Sequence, residues 1–126
     1  MDFAELKTYL LDKPHARLDF PFDKETHVFK VKGKMFALVG FRDDKLNMNL
    51  KCVPEEGAAL RDIFSNVKPG YHMNKRHWIT VYFHDNTDPD NNVPDGEVFR
   101  LIDRSYQLVV NNLPKKEQRS IQLHIE

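Results

Sequence analysis

The sequence predicts a single α+β domain in which an antiparallel sheet carries helices on one face, in the order α-β-β-β-α-β-α. Three observations predict this class. The chain has 126 residues, too few for two separate cores, so we expect residues 1–126 to form one domain. Apolar residues make up 40% of the chain and include nine phenylalanines, which excludes a disordered chain. Apolar positions recur at helical spacing in some segments and alternate with polar ones in others.

The first helix is predicted over about ten residues that end before Pro14. Asp2 and Glu5 have the spacing of a capping box, in which an acidic side chain satisfies free backbone N–H groups of the first turn. Leu6 and Leu10 follow at helical spacing, so this helix has one apolar side to bury.

Three strands are predicted next, because the apolar period changes to two. Residues 28–32 and 35–41 form a hairpin around a Gly33-Lys34 turn, and a charged turn leads to a third strand at 46–52. Tight turns make these strands antiparallel. The third strand alternates strictly, so it is half-buried, and its polar side carries Asn47, Asn49 and Lys51.

The second half contributes two helices and a strand. Residues 54–65 begin with a proline followed by two glutamates, which suits a first helical turn. Residues 78–83 are a β-prone run, and residues 84–95 are a loop by composition. The last helix is predicted over 94–113 from its single apolar stripe, with Pro114 as its stop.

Charge is balanced over the whole chain but not along it. The formal net charge is zero, which argues against a protein that coats nucleic acid without specificity. By segment, the net charge is −2 over 1–23, +5 over 24–78 and −3 over 79–126. Fields are screened beyond about 8 Å at physiological salt, so the middle segment can still present a positive face. The alternative is that these charges only solvate the sheet.

The most informative segment is 67–78, which is dense in polar and aromatic chemistry and poor in core residues. A Pro-Gly turn is followed within eight residues by two imidazoles, an amide, two cations and two aromatic rings. Such a set suits an anionic partner, since cations contact phosphates, an amide reads a base edge and an aromatic ring stacks. The competing interpretation is that the aromatics anchor the core and the bases are solvated.

Several blocks together resemble the MmcQ/YjbR family. They include Phe-Pro-Phe at 20–22, Gly-Lys-Met-Phe-Ala at 33–37, Pro-Gly-Tyr-His-Met-Asn-Lys-Arg-His-Trp at 69–78 and Asp-Arg-Ser-Tyr at 103–106. The resemblance covers nearly the whole chain in order. It implies a frataxin-like (CyaY-like) α+β domain described as a double wing and labelled as DNA-binding, a label that rests on fold analogy.

The expected function is therefore non-enzymatic: weak, salt-sensitive binding of DNA through the polar sheet face and the loop at 70–77. An alternative is a regulatory module that binds a small anionic ligand or an acidic protein. The candidate nucleic-acid contacts are Lys30, Lys32, Lys34, Asn47, Asn49, Lys51, Tyr71, His72, Asn74, Lys75, Arg76 and His77.

An enzyme is the least favoured class, and no catalytic residue, metal site or cofactor is expected. His72 and His77 lie outside any HExxH pattern, and the single cysteine, Cys52, points inward with its strand's apolar residues. Acidic residues on the first helix are too sparse for iron. No segment is apolar enough to span a membrane, and the first residues carry acids where a signal peptide carries lysines. We expect a cytoplasmic monomer.

Overall fold

The structure is a computed structural model that describes residues 1–83 and 92–125. Most of the predicted loop at 84–95 therefore lies outside the described residues. The elements, in chain order, are α1 (Phe3–Leu11), β1 (Ala16–Asp19), β2 (His27–Val31), β3 (Lys34–Arg42), β4 (Lys45–Lys51), α2 (Pro54–Ile63), β5 (Val67–Pro69), β6 (Trp78–Tyr82), α3 (Asp95–Asn111) and α4 (Lys115–Ile125).

The predicted α+β class is confirmed. The six strands form one antiparallel sheet in the order β1-β2-β3-β4-β6-β5. The structure adds β1, β5 and α4 to the predicted order. The two strands are only four and three residues long, too short for a period to be visible. α3 ends at Asn111, two residues before the predicted end at 113, and the Pro114 carbonyl accepts the N–H groups of Glu117 and Gln118 and so begins α4.

Local signals explain how the first elements form. Asp2 caps α1 by accepting the N–H of Glu5 at 2.9 Å, which confirms the predicted capping interaction. The β2–β3 turn consists of Lys32 and Gly33, both with positive φ (50° and 81°), as a two-residue hairpin turn requires. The predicted turn at Gly33-Lys34 was therefore one residue too late, because the turn type depends on φ at both positions.

One face of the sheet, the helix-covered face, holds the core. Met48 and Leu50 of β4 pair with Val81 and Ile79 of β6, and all four side chains are buried. Ser105 of α3 is fully buried on this face, and its hydroxyl is satisfied by two hydrogen bonds. Its hydroxyl donates to the Phe36 carbonyl at 2.6 Å and accepts the N–H of Lys51 at 2.9 Å. This serine therefore fixes α3 to the ends of two strands.

Cys52 also belongs to the core, as predicted. It is buried, and desolvation raises the pKa of its thiol, so the unreactive thiol form is favoured. A Cβ on Gly57 of α2 would lie only 2.9 Å from the Cys52 sulfur. The absence of a side chain at Gly57 thus permits close approach of this helix to the sheet.

The opposite face of the sheet, called the outer face below, carries the alternate residues of the same strands. Leu38, Asn49 and Thr80 lie on it and are nonetheless buried, with 7%, 9% and 1% of their surfaces exposed. None of the described residues that line the cavity on this face belongs to a helix. Residues 22–26 and 71–73 lie beside them and line a common cavity on this face.

Candidate functional site

The cavity on the outer face, called the outer groove, has a volume of about 470 Å³. Its floor is formed by β3 and β4, one wall by the segment before β2, and the other wall by the loop after β5. Arg42, the last residue of β3, lies at one end. The residues that line the floor and the two walls are Leu38, Val39, Gly40, Phe41, Asn47, Asn49, Phe22, Asp23, Glu25, Thr26, Tyr71, His72 and Met73.

A chain of hydrogen bonds orients the buried amide on the floor. The Tyr71 N–H donates to the Thr80 hydroxyl oxygen at 2.9 Å, and that hydroxyl donates its one proton to Asn49 Oδ1 at 2.5 Å. The Asn49 amide is thereby fixed, because its oxygen must face Thr80. Asn49 is 9% exposed, and its Nδ2 group has no hydrogen-bond partner among the described residues. The groove therefore has two unused N–H donors in its floor.

Arg42 is held between two aromatic side chains. Its guanidinium carbon lies 3.8 Å from the centre of the Tyr71 ring, and Nη1 donates to the Tyr82 hydroxyl at 3.2 Å. The hydrogen bond to Tyr82 raises the pKa of Arg42, so the cation is maintained. Stacking orders the guanidinium without using its remaining N–H groups, which stay available to an anion.

The loop wall presents two rings at the surface. Tyr71 is 42% exposed, and its ring centre lies 3.9 Å from that of His72. His72 adopts a positive φ of 58°, a strained conformation for a residue with a side chain. The backbone therefore turns at His72 and does not continue in the direction of β5, and the Tyr71 ring lies over Arg42.

A second cavity, the basic pocket, adjoins the groove because Arg42 lines both. It has a volume of about 480 Å³. Among the described residues, three cations and one carboxylate line it, together with polar and aromatic side chains. The cations are Arg42, Lys45 and Lys68, the carboxylate is Asp43, and the others are Ser65, Asn66, Tyr82 and Phe83. The excess of positive charge suits an anionic group.

The wall before β2 is braced by Asp23. Its carboxylate accepts the N–H groups of Thr26 and Glu25 and the hydroxyl of Thr26. These bonds, the one from the Thr26 N–H first, lower the pKa of Asp23. Asp23 is therefore a turn residue rather than a free acid, and it holds Phe22, which is 64% exposed, at the rim.

The structure brings four of the predicted site residues together in the outer groove: Asn47, Asn49, Tyr71 and His72. Three predicted lysines are instead used within the fold. Lys30 pairs with Asp19 at 2.9 Å, Lys32 donates to Ser120 at 3.0 Å, and the Lys75 ammonium donates to the Gly70 carbonyl at 3.0 Å.

The remaining predicted residues line neither cavity. Lys34 and Lys51 lie at the end of the sheet away from the basic pocket, and Asn74, Arg76 and His77 are exposed in the loop before β6. Asn74 accepts the Arg76 N–H at 3.0 Å and so stabilises that loop. Lys34, Lys51 and the loop that carries Lys75 and Arg76 thus lie at the end of the strands opposite to Arg42 and Lys45.

Sequence reasoning missed Arg42, Lys45 and Lys68, which form the basic pocket. The first two flank the Asp43-Asp44 turn, where positive φ at both aspartates makes the strands antiparallel and in register. Alternation along β3 places Arg42 on the same side as Leu38 and Gly40, and this signal was available in the sequence. Lys68 gave no such signal, because β5 is three residues long.

We searched residues 1–83 and 92–125 for groups of possible metal ligands and for helices that could span a membrane. Within those ranges, no three His, Cys, Asp or Glu side chains are grouped closely enough to hold a metal ion. None of the helices described there is both long and apolar enough to cross a bilayer.

Comparison with known proteins gives consistent matches. Residues 11–108 match the family model described as YjbR. "Uncharacterized protein YbdF" of Escherichia coli O157:H7 is 36% identical over 115 residues, which cover 91% of this chain and 89% of that protein. "Uncharacterized protein YjbR" of Escherichia coli (strain K12) is 35% identical over 119 residues, covering 94% and 96%.

Solved structures agree with the sequence matches. The crystal structure of Deinococcus radiodurans protein DR2400, with the domain DUF419, has a TM-score of 0.83 and 37% identity, covering 94% of this chain and 86% of that one. A crystal structure of a Pseudomonas syringae protein has a TM-score of 0.70 and 30% identity, covering 86% and 98%. The family-model match over residues 11–108 includes the whole sheet and both walls of the outer groove.

Proposed function

Because this chain belongs to the MmcQ/YjbR family, whose relatives named above are described only as uncharacterized, we propose its function from its own geometry: a non-enzymatic nucleic-acid-binding protein. It binds weakly, in a salt-sensitive way, through the outer face of its sheet. The observation that supports this most is the exposed Tyr71 ring stacked on Arg42, with Lys45 and Lys68 around the adjoining pocket. Aromatic rings interleaved with cations on a sheet are typical of surfaces that bind single strands.

The proposed nucleic-acid interface differs in part from the one that the sequence predicts. The loop at 70–77 and the strand amides remain part of it through Tyr71, His72, Asn47 and Asn49. The phosphate contacts, however, are assigned to the Arg42 end of the sheet, since the Lys30, Lys32 and Lys75 ammonium groups have partners within the chain. Three phosphate contacts give a shallow salt slope, so affinity for a single strand should fall roughly twentyfold between 50 and 200 mM salt.

Fluorescence anisotropy with a labelled single strand of about 12 nucleotides tests the proposal. The Lys68→Gln variant should weaken binding and reduce the magnitude of the salt slope by about 0.7, the value of one single-strand phosphate contact. Lys116→Gln is the matched control, since Lys116 is exposed on α4, on the other side of the sheet. Absence of any complex with single strands or duplexes at low salt would contradict the proposal.

A second candidate, a regulatory module that binds a small anionic ligand, is favoured by the concave shape of the basic pocket. Thermal-shift measurements separate the two candidates, because a ligand that binds only the folded state raises the melting temperature by mass action. Inorganic phosphate that raises the melting temperature while oligonucleotides have no effect would favour the second candidate.

A further inference from the structure

We propose that the outer groove binds one nucleobase and that the basic pocket binds the phosphate attached to it. The ligand class is therefore a mononucleotide unit, either free or within a single strand. This inference rests on the proposed function, because it assigns nucleotide chemistry to the same face. It goes further by separating a base site from a phosphate site and by naming the groups that contact each.

The shape and lining of the outer groove suit a planar ring. Its volume of about 470 Å³ lies in the usual range for small-ligand sites. Leu38 of the floor and Met73 of one wall are apolar, and Phe22 of the other wall is a large aromatic side chain that is 64% exposed. A ring with two apolar faces would cover this side chain, which is otherwise left to solvent.

The floor of the groove supplies hydrogen bonds to the edge of such a ring. Asn49 is nine-tenths buried, and its fixed orientation leaves both Nδ2 protons without a partner among the described residues. Asn47, two residues earlier on the same face of β4, donates only a 3.4 Å bond to the Lys45 carbonyl and retains its amide oxygen as an acceptor. Asn49 can thus donate to an acceptor atom on a base edge, and Asn47 offers its acceptor about 7 Å farther along the strand.

The phosphate site follows from the shared position of Arg42. This residue lines both cavities, so a ligand in the groove that extends past Arg42 enters the basic pocket. There, Lys45 and Lys68 add two cations, and Asp43 is the one acidic residue among the described residues of the lining. The other acids near the ligand, Asp23 and Glu25, lie on the wall before β2, where the base rather than the phosphate would be.

Gly40 provides a way to block the base site without disturbing the fold. It lies on the groove floor between Leu38 and Arg42, and a Cβ added to it meets no atom within 4 Å. The Gly40→Leu variant should fill the groove. Gly96→Leu is the matched control, because a Cβ on Gly96 also meets no atom within 4 Å and this residue lies in α3.

The experiment is calorimetric titration of the wild-type chain and both variants with adenosine, guanosine, cytidine and uridine 5′-monophosphates, adenosine, and inorganic phosphate. We expect saturable binding of at least one nucleotide, about tenfold or more weaker in Gly40→Leu and unchanged in Gly96→Leu, because the leucine side chain would remove the contacts of the base. Lys68→Gln should weaken the nucleotide but not the nucleoside. Thermal melts of both glycine variants should match wild type.

Two results would overturn the inference. The first is inorganic phosphate binding as tightly as every nucleotide, with no effect of Gly40→Leu, because the site would then recognise phosphate alone. The second is that the protein binds single strands but no mononucleotide, and that Gly40→Leu does not change its affinity for single strands. In that case the proposed function stands and the base site does not. If neither nucleotides nor strands bind, both proposals fail.

A strand with normal bases and one of the same length with abasic positions distinguish the two sources of the ligand. If the groove accepts a base from a strand, Gly40→Leu weakens the normal strand and leaves the abasic strand unchanged. If it accepts only a free nucleotide, Gly40→Leu weakens the mononucleotide and neither strand. Both results support a base site in the outer groove.

Discussion

The two faces of the sheet use the same strands but are closed in opposite ways. The helix-covered face is sealed by apolar side chains and by one serine, Ser105, whose hydroxyl both donates and accepts a hydrogen bond. The outer face is covered by loops and retains buried polar groups, among which Asn49 Nδ2 has no partner in the described chain. A satisfied polar group in a core stabilises a packing arrangement, whereas a donor without a protein partner that faces a cavity is open to solvent or to a ligand.

The largest effect should come from the helix-covered face. Phe36 is fully buried and packs edge-to-face against Tyr106 of α3, with ring centres 5.3 Å apart. Phe36→Ala should reduce the free energy of unfolding by about 3–5 kcal/mol, because it removes this contact and leaves a cavity. Urea denaturation measures the change. A midpoint equal to wild type would contradict the assignment of this face as the stabilising one.

A smaller loss of stability is expected when the hydrogen bonds that join Tyr71, Thr80 and Asn49 on the outer face are broken. Thr80→Val is nearly isosteric, but it leaves the Tyr71 N–H and Asn49 Oδ1 without their shared hydroxyl. The free energy of unfolding should fall by about 1–3 kcal/mol. Thr8→Val is a control, since the Thr8 hydroxyl is exposed and bonds only to a carbonyl of its own helix. Equal effects of the two variants would argue against a structural role for the hydrogen bonds of Thr80.

Tyr71→Ala should separate binding from stability. The ring is 42% exposed, so the free energy of unfolding should change by no more than about 0.5 kcal/mol. Affinity for a single strand should nevertheless fall about tenfold, because the variant loses a stacking surface and the ordering of Arg42. Anisotropy and denaturation of the same sample measure both quantities. A stability loss as large as that of Phe36→Ala would instead make Tyr71 a core residue.

A pH dependence is expected on the helix-covered side. Burial and the hydrogen bond to Asp103 raise the pKa of Tyr9 to about 12. The unfolded chain has a tyrosine pKa of about 10, so it loses its proton first as pH rises. The stabilisation from Tyr9 is therefore complete below pH 10 and is lost as the pH rises toward 12. Thermal melts of wild type and Tyr9→Phe should converge over this interval; a constant difference would contradict the assignment.

Much of the fold was predictable from local patterns. The capping interaction of Asp2, the β2–β3 hairpin and the long amphipathic α3 follow from spacing over a few residues. β1 and β5 escaped prediction because four- and three-residue strands form only by pairing with β2 and β6. The start of α4 escaped because Pro114 was read only as a stop, whereas proline also suits the beginning of a helix.

The candidate site was predictable only in part. Alternation along β4 placed Asn47 and Asn49 together on one face, and the dense block after Pro69 identified Tyr71 and His72. The cations were assigned incompletely, because a lysine's availability depends on partners far along the chain. Lys32 contacts Ser120, 88 residues away, and such a contact leaves no local signal.

The sequence by itself determined the α+β class, the polar side of β4 and the family, because these depend on periodicity and motifs that are local. Only the tertiary structure decided that this polar side is a groove. The floor comes from β3 and β4, one wall from residues 22–26 and the other from residues 71–73. These segments meet through strand register and through hydrogen bonds such as Tyr71 to Thr80, which depend on the packing of the whole sheet.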